Sequence, residues 1–424
     1  SFDEDFLVLP EGFILSAMRK HQRYFGFHAD GKLAPRFATA LGTRLRNPPS
    51  ALAGNQRVLS ARLSDARFFW DEDRRTPLEA REDRMRKMVY HQKLGTMWDR
   101  IERVRRMAGF FAARMGLDAA QADRAALLCK MDLETQMVYE FPDLQGDMGR
   151  AYALAQGEDP AVAEALREHY WPRFAGDALP GSSMGRALAL ADKCDVLCGG
   201  IAAGLRPTGS ADPFALRRAA LGFLRILLEQ RLDFSLTEVF TYSCQSLPLP
   251  CDPAAVKDFV VDRLRSLFGE SRPKEMIESV LAVDADRPVH AARRLEAVAE
   301  LAQTDEFHQL VRLYRRMNIL KKAEAVPSEV RPELLEHPAE RALHEALERV
   351  FAVCEVRLGD GDFGGALREM VSLWREVDEF FHDERGVRVM ADDPALRDNR
   401  LGLLFRLDAL LRRVADFKIL AALA

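Results

Sequence analysis

Cysteine is scarce in this 424-residue sequence, and its spacing excludes the common cysteine-based sites. No Cys-x-x-Cys pair occurs, and the spacings fit no zinc site. The six cysteines are Cys129, Cys194, Cys198, Cys244, Cys251 and Cys354. Buried free thiols in a reducing compartment are the simplest interpretation, and they favour a cytoplasmic protein over a secreted, disulfide-bonded one.

The sequence also lacks any apolar run of membrane-spanning length, and it shows no secretory signal peptide. We therefore expect no membrane association. Hydrophobic residues make up 48% and charged residues 30%, a balance typical of a soluble, helix-rich protein. A chain of this length can bury several cores, which predicts two to four domains.

An overall excess of positive charge is missing as well. The formal net charge is −4 at pH 7, whereas nucleic-acid-binding proteins are often basic. This argues only mildly against nucleic-acid binding, because only the contacting face needs to be positive.

Nucleotide-binding motifs are absent or unconvincing. No P-loop lysine motif occurs in the sequence. Residues 359–364, Gly-Asp-Gly-Asp-Phe-Gly, formally match the pattern of a dinucleotide-binding loop, but such a loop must follow a strand. Here a helical pattern precedes it, and Asp360 and Asp362 would repel a pyrophosphate. The segment is predicted to connect two helices.

Helical periodicity dominates the sequence and predicts a mainly α fold. Residues 1–82 are the exception, because strand-like segments there alternate with helical ones and predict a small α/β domain. The predicted strands are Phe6–Leu9, Tyr24–His28 and Phe37–Leu41, and the predicted helices are Glu11–Gln22 and Gln56–Phe69. A turn signal, Asp30-Gly31, separates the second strand from the third.

The rest of the chain divides into three helical segments. Residues 83–243 show helical periodicity throughout and no convincing strand. Residues 244–300 form a connector that begins with several prolines and contains short helices. Residues 301–424 predict a helical bundle, with one helix starting at Pro338 and the last one capped by Asp393-Pro394.

A loop that turns into a helix is the most informative local feature. Breaker residues fill the stretch from Gly204 to Ser210, and Asp212 and Pro213 suit the N-cap and first position of a helix. Apolar residues then recur at helical spacing. The pattern alone predicts a capped surface helix, but the literal string Arg206–Arg225 resembles a signature of the β subunits of bacterial glycyl-tRNA synthetases.

The resemblance to this family extends along the chain in the family's own order. The matching blocks are His21–Phe25, Asn55–Arg57, Ala66–Phe69, Lys93–Gly95, Glu140–Gly146, Pro172–Asp177, Ala189–Lys193, Asn318–Leu320 and Arg397–Asp416. Because the chain begins at Ser1 without Met, the resemblance implies the C-terminal portion of a longer subunit.

The resemblance implies a fold and a division of labour. Residues 1–82 would be the remnant of a truncated α/β domain, residues 83–243 an HD-like helical domain, and residues 301–424 a DALR-type anticodon-binding bundle. The α subunit would use ATP and Mg²⁺ to join glycine to its tRNA in an α₂β₂ enzyme. This chain would hold the glycine tRNA and contribute no catalytic residue and no cofactor site, which agrees with the lack of synthetase catalytic signatures in the sequence.

Catalytic HD domains bind metal through a lone His, a His-Asp pair and a distal Asp. The sequence Cys129-Lys130-Met131-Asp132 takes the place of the pair, and the positive charge of Lys130 opposes metal binding. His91 and His169 are the histidines of this region, and Asp192 could stand at the distal position. We expect no bound metal. A metal-dependent phosphohydrolase of HD type and a non-catalytic helical scaffold remain alternatives.

Positive and amide side chains are the candidates for tRNA contact. A basic helix face in the last segment could bind phosphates or simply face solvent, and Asn318 and Asn399 are candidate readers of anticodon bases. The candidates in the anticodon-binding segment are Arg312, Arg315, Arg316, Asn318, Lys321, Arg397, Asn399 and Arg400. The candidates in the HD-like segment, expected at the acceptor arm, are Lys130, Arg173, Phe174, Arg217 and Arg218.

Overall fold

The computed structural model describes residues 1–42, 47–205, 212, 214–322 and 329–421, without the side chains at positions 20, 21, 313, 318, 319, 321 and 322. These residues are mainly helical, with two small antiparallel sheets, which confirms the predicted mainly α fold. They form two compact units: unit 1 comprises Ser1–Ile226 and Val239–Val256, and unit 2 comprises Leu227–Glu238 and Lys257–Ala424. The finer division into four segments stays a prediction.

Unit 1 contains both sheets. Its helices are α1 (Glu11–Gln22), α2 (Pro48–Arg75), α3 (Glu82–Met85), α4 (Met97–Met115), α5 (Ala119–Leu128), α6 (Gln136–Glu140), α7 (Asp147–Ala155), α8 (Pro160–Glu168) and α9 (Ser183–Ala202). Its strands are β1 (Tyr24–Ala29), β2 (Lys32–Thr39), β3 (Val89–His91) and β4 (Gly95–Thr96). Three helices contain residues of both units: α10 (Leu216–Glu229), α11 (Leu236–Cys244) and α12 (Pro253–Gly269).

The hairpin β1–β2 forms at the predicted Asp30-Gly31 turn. Both residues have positive φ, 51° and 75°, as a two-residue hairpin turn of this kind requires. Strand β2 therefore begins at Lys32, directly after the turn, and earlier than the predicted start at Phe37.

Two local expectations were wrong. Most of the predicted strand Phe6–Leu9 lies instead in a 3₁₀ helix, Glu4–Val8, because the Asp3 side chain accepts a hydrogen bond from the Asp5 amide at 3.0 Å and starts a helical turn. The segment 83–243 is not free of strands, since β3 pairs with β4. Strands of three and two residues are too short to show alternation in a sequence.

The helices α4 and α9 form the centre of unit 1. A capping box starts α4: the Thr96 hydroxyl accepts from the Asp99 amide at 3.2 Å, and the Asp99 carboxylate accepts from the Thr96 amide at 2.7 Å. Helix α9 is buried over most of its length and packs against α4. This packing places charged residues of both helices in the interior.

The helix predicted to start at Pro213 begins later. Helix α10 starts at Leu216, after Ala215 in a left-handed conformation with φ of 58°. Asp212 still acts at this end, because its carboxylate accepts hydrogen bonds from the amides of Arg217 at 3.0 Å and Arg218 at 3.4 Å. The residues 206–211 and Pro213 of the signature lie outside the described residues.

Unit 2 is helical in all its described elements. Its remaining helices are α13 (Lys274–Leu281), α14 (Pro288–Leu301), α15 (Asp305–Tyr314), α16 (Pro338–Gly359), α17 (Phe363–Ser372), α18 (Trp374–Phe380), α19 (Pro394–Leu411) and α20 (Phe417–Leu420). The predicted start at Pro338 and the predicted cap at Asp393 are confirmed; the Asp393 carboxylate accepts from the Ala395 amide at 2.7 Å. Across the described residues, none of the helices has the length and apolar character needed to cross a membrane.

Residues 359–364 connect helix α16 to helix α17, as predicted. A helix precedes the segment, and the Asp362 carboxylate accepts from the Gly365 amide at 2.8 Å, so that it caps α17. The glycine-rich segment is thus a helix–helix connector, which confirms the interpretation made from the sequence.

Candidate nucleic-acid interface

Unit 1 buries a cluster of opposite charges where α4 packs against α9. Arg103 donates to Asp195, with 2.5 Å between Nε and Oδ1, and Arg100 donates to Asp192, with 2.9 Å between Nη2 and Oδ1. Burial alone would raise the pKa of Asp192, but Arg100 and Lys130 outweigh that effect and hold the pKa far below its usual range. The Asp192 carboxylate is therefore charged at neutral pH.

The ammonium of Lys130 lies between a carboxylate and an imidazole. Its Nζ is 3.0 Å from Asp192 Oδ1 and 2.8 Å from His169 Nε2, and it also lies 4.0 Å from the centre of the Tyr170 ring. The side chain of Lys130 is 3% exposed. Lys130 therefore stabilises the interior of unit 1 and does not stand at its surface, and its contact with tRNA stays a prediction.

His169 is held as a neutral imidazole. Its Nδ1 lies 2.7 Å from the carbonyl oxygen of Leu166 and donates to it, which leaves Nε2 to accept from Lys130. Burial lowers the pKa of His169 well below its usual value, and the charge of Lys130 lowers it further. The sequence did not reveal this role, because Lys130 and His169 are 39 positions apart.

The residues considered as metal ligands have other partners. The Asp132 carboxylate accepts from the amides of Gly146 at 2.6 Å and Gly149 at 3.1 Å, and His91 Nδ1 accepts from the Lys93 amide at 3.2 Å. Over the described ranges, no group of three or more His, Cys, Asp and Glu side chains has a geometry that could hold a metal ion. The expectation of a metal-free chain stays a prediction.

A cavity of about 500 Å³ lies beside the charge cluster of unit 1, and we call it the cationic cavity. It brings together three predicted tRNA-binding residues, Lys130, Arg173 and Arg218, but Phe174 and Arg217 are not part of its lining. The wall also contains polar residues that the sequence did not single out, among them Tyr90, Arg100 and Lys193. The block Ala189–Lys193 had been noted for its resemblance, but nothing in it indicated a cavity.

The other candidates of unit 1 lie at its surface. Phe174 is 59% exposed, and Arg173 is exposed while donating to Asp177, with 3.0 Å between Nε and Oδ2. Arg218 is exposed and Arg217 is half-buried. These side chains are accessible to RNA, where arginines bind phosphate and an aromatic ring can stack on an unpaired base.

The segment 305–322 of unit 2 carries the predicted basic face, and its opposite side is buried. Its apolar side is buried, and it consists of Phe307, Leu310, Val311, Tyr314 and Met317. Helix α15 ends at Tyr314, however, and residues Arg315–Lys322 continue as a 3₁₀ helix. Arg312 is exposed, whereas the side chains of Asn318 and Lys321 lie outside the described residues.

Arg315 and Arg316 are exposed but engaged with unit 2 itself. Arg315 donates to the Ala421 carbonyl from Nε at 3.1 Å and from Nη2 at 2.7 Å. Arg316 donates to the Phe381 carbonyl and lies 3.3 Å from Asp383 Oδ1. Arg316 retains other N–H donors, so it can still face a phosphate.

Asn399 is not available to a base. It is 3% exposed, and its amide makes a two-way contact with the backbone of Arg331: Oδ1 accepts from the Arg331 amide at 2.7 Å, and Nδ2 donates to the Arg331 carbonyl at 3.1 Å. The prediction that Asn399 reads the anticodon is therefore wrong. The residue fixes the backbone that precedes α16.

Arg400 is a structural residue as well. Its guanidinium pairs with Glu340, which is fully buried, and donates to the Arg388 carbonyl at 3.0 Å. A buried carboxylate needs such a partner, so Arg400 is not offered to tRNA as predicted. Arg397 is 36% exposed and pairs with Asp398, with 3.2 Å between Nε and Oδ1, so it remains a candidate at the surface.

Comparison with known proteins shows which family this chain matches. The family model described as "Glycyl-tRNA synthetase beta subunit" matches residues 1–282. Curated relatives named "Glycine--tRNA ligase beta subunit" include those of Ralstonia nicotianae, 44% identical over 99% of this chain and 61% of the relative, and of Geobacter sp. strain M21, 43% identical over 99% and 62%. A relative from Neisseria gonorrhoeae is 41% identical over the same shares, 99% and 61%. The chain thus spans about three fifths of the length of these relatives.

Proposed function

Because the chain belongs to the family of glycyl-tRNA synthetase β subunits, we propose that it is the tRNA-binding part of a glycine–tRNA ligase. The family match is the observation that carries the proposal. The family model covers residues 1–282, and the curated relatives align with 99% of the chain. The partners would be glycine tRNA and an α subunit, in an α₂β₂ enzyme. The α subunit would use ATP and Mg²⁺, this chain would bind no cofactor, and the enzyme would work in the cytoplasm.

Unit 1 would contact the acceptor arm. The exposed Arg173 and Phe174 combine a positive charge with an aromatic face, and Arg218 adds a second charge. Such side chains suit the backbone and the unpaired end of an RNA, because phosphates attract arginine and unstacked bases pack on rings. Arg217, on the same helix as Arg218, is a further candidate.

Unit 2 would contact the anticodon arm. Arg312, Arg315 and Arg316 lie on the exposed side of one helical segment, so they can meet consecutive phosphates. Glycine anticodons end in two cytosines, whose exocyclic amines donate hydrogen bonds and favour acceptors such as Asn. Asn399 and Arg400 are engaged by other residues of unit 2. Asn318, Lys321 and Arg397 therefore complete the set of residues proposed to contact the anticodon arm.

The test is a band-shift titration of the 424-residue chain with glycine tRNA and with an unrelated tRNA at several salt concentrations. We expect tighter binding of glycine tRNA, with an affinity that falls steeply as salt rises. Equal and weak binding of both tRNAs, insensitive to salt, would contradict the proposal and favour a helical scaffold without RNA contact.

A metal-dependent phosphohydrolase gains no support from the geometry of unit 1. The ammonium of Lys130 lies between His169 and Asp192. These two potential ligands therefore already contact a positive charge, which opposes the binding of a metal cation. Hydrolysis of nucleotide phosphates by the purified chain in the presence of Mn²⁺ would overturn this assignment.

A further inference from the structure

The cationic cavity of unit 1 carries more positive charge than its own carboxylates balance. Five cations line it, and Asp192 is the one carboxylate among the lining residues that the structure describes; the cations are Arg100, Lys130, Arg173, Lys193 and Arg218. Arg100 and Lys130 share Asp192, and Arg173 pairs with Asp177. Two cations, Lys193 and Arg218, are thus left without an ion-pair partner within the described ranges.

Of these two cations, Lys193 is the buried one. It is 6% exposed; its Nζ donates to the Trp171 carbonyl at 2.7 Å and lies 3.5 Å from the His169 carbonyl. Carbonyl oxygens satisfy part of an ammonium group but do not cancel its charge. Burial accordingly lowers the pKa of Lys193 to about 8. An anion in the cavity would supply the missing counter-charge.

The hydroxyl group of Tyr170 provides a second, independent observation. The residue lines the cavity, and its hydroxyl oxygen is buried without a hydrogen-bond partner. Buried polar atoms in proteins are nearly always paired. A ligand with oxygen acceptors would use this donor together with the ammonium of Lys193.

The size and the walls of the cavity indicate more than a bare phosphate. A volume of about 500 Å³ lies within the range of sites that hold whole small molecules. Phe214 lines the cavity and is 49% exposed, with its ring edge to His91 at 6.3 Å between ring centres. An available aromatic face of this kind is where a nucleobase stacks.

We propose that the cationic cavity binds a nucleoside monophosphate, with its phosphate at Lys193, Tyr170 and Arg218 and its base on Phe214. The ligand is either a free nucleotide or one nucleotide of an unpaired RNA strand, since both present the same phosphate and base. The site goes beyond the tRNA contacts proposed above, because it is a defined pocket for a single nucleotide.

The test is calorimetric titration of the 424-residue chain with AMP, adenosine, inorganic phosphate and a single-stranded RNA tetranucleotide. We expect AMP to bind in a saturable way and at least tenfold more tightly than adenosine or inorganic phosphate. Displacement of AMP by the tetranucleotide at lower concentration would identify RNA as the source. Binding of AMP without such displacement would identify the free nucleotide.

Variants separate a ligand site from a structural cluster. Lys193→Met should weaken AMP binding at least tenfold and yet raise the melting temperature of the free chain, because it removes an uncompensated buried charge. Arg218→Ala, at an exposed position, should weaken binding about tenfold. The matched control is Arg36→Ala, at an exposed position of β2 that does not line the cavity, and it should keep full AMP affinity.

The proposal would be overturned if AMP did not bind, if inorganic phosphate bound as tightly as AMP, or if Arg218→Ala and Arg36→Ala had equal effects. A lower melting temperature of Lys193→Met with unchanged AMP affinity would make Lys193 purely structural and also overturn it. The tRNA band shift is a separate measurement. Glycine tRNA can bind while AMP does not, so the two proposals can fail independently.

Discussion

Lys130 donates a hydrogen bond to His169, with 2.8 Å between Nζ and Nε2, and this contact requires the imidazole to be neutral. An imidazolium at this position would have no lone pair to accept the bond and would lie against an ammonium group. The folded state therefore excludes a proton that the unfolded chain accepts.

Acidification should consequently destabilise the chain through His169. Its pKa in the folded protein lies below the usual value near 6.5, so the unfolded state binds the proton first as the pH falls. The stability that this residue contributes is complete above about pH 6.5 and falls below it by about 1.4 kcal/mol per pH unit.

Urea unfolding from pH 7.5 to 5.0 measures this effect, with His169→Gln as the comparison, since the glutamine oxygen can accept from Lys130 without titrating. Asp132, whose pKa burial raises to about 6, titrates in both proteins and cancels in the difference. Identical pH slopes for the two proteins would show that His169 is not held neutral.

Removal of Arg400 should destabilise unit 2 severely. Arg400→Met leaves the buried Glu340 without its partner, and breaking one side of such a pair typically costs about 3–5 kcal/mol. The double variant Arg400→Met/Glu340→Met should recover a large part of that loss. The measurement is the free energy of unfolding in urea for the wild type, Arg400→Met, Glu340→Met and the double variant. A change below about 1 kcal/mol for Arg400→Met would refute the structural role.

Asn399→Ala should affect stability and leave tRNA preference unchanged. The variant loses both hydrogen bonds to the Arg331 backbone, which should lower the free energy of unfolding by about 1–3 kcal/mol. Competition binding with wild-type and anticodon-substituted glycine tRNA should give the same ratio for both proteins. A reduced preference for the glycine anticodon would restore Asn399 as a reader of bases.

Arg312→Ala should lower the salt dependence of tRNA binding without loss of stability. One phosphate contact contributes about 0.7–0.9 to the slope of log affinity against log salt. Arg312 is exposed, so the fold should survive within about 0.5 kcal/mol. Arg375→Ala, at another exposed position of unit 2, is the control. If both variants keep the wild-type slope, the basic side of this segment merely faces solvent.

The chain by itself should not activate glycine. No recognisable catalytic signature of a synthetase occurs in the sequence. We therefore expect no glycine-dependent exchange of pyrophosphate into ATP by the purified chain, and exchange when an α subunit is added to the complete β subunit. Robust exchange by the chain alone would place the activating site here.

Features determined by neighbouring residues could be predicted from the sequence. The start of α16 at Pro338, the cap at Asp393 and the connector between α16 and α17 all depend on contacts within a few positions. The start of α10 was misplaced because Ala215 adopts a left-handed conformation, which its sequence does not indicate. Local patterns therefore predicted the starts of α16 and α19 but not that of α10.

The roles of single charged residues could not be predicted in the same way. Asn399 and Arg400 stand at the start of a helix, where polar residues are usually exposed, but their partners Arg331 and Glu340 are 68 and 60 positions away. Lys130 meets Asp192 only because the elements around them pack together. Such contacts depend on tertiary structure, so a lone sequence gives a residue's chemistry but not its partner.

The position of the Lys130 ammonium also has a consequence for the cell. A charge that belongs to a side chain cannot be removed by a chelator, exchanged for a competing ion or lost when metals become scarce. The interior of unit 1 therefore keeps a cation between His169 and Asp192 as long as the chain exists. Treatment with EDTA or growth under metal starvation leaves these two contacts of the Lys130 ammonium group intact.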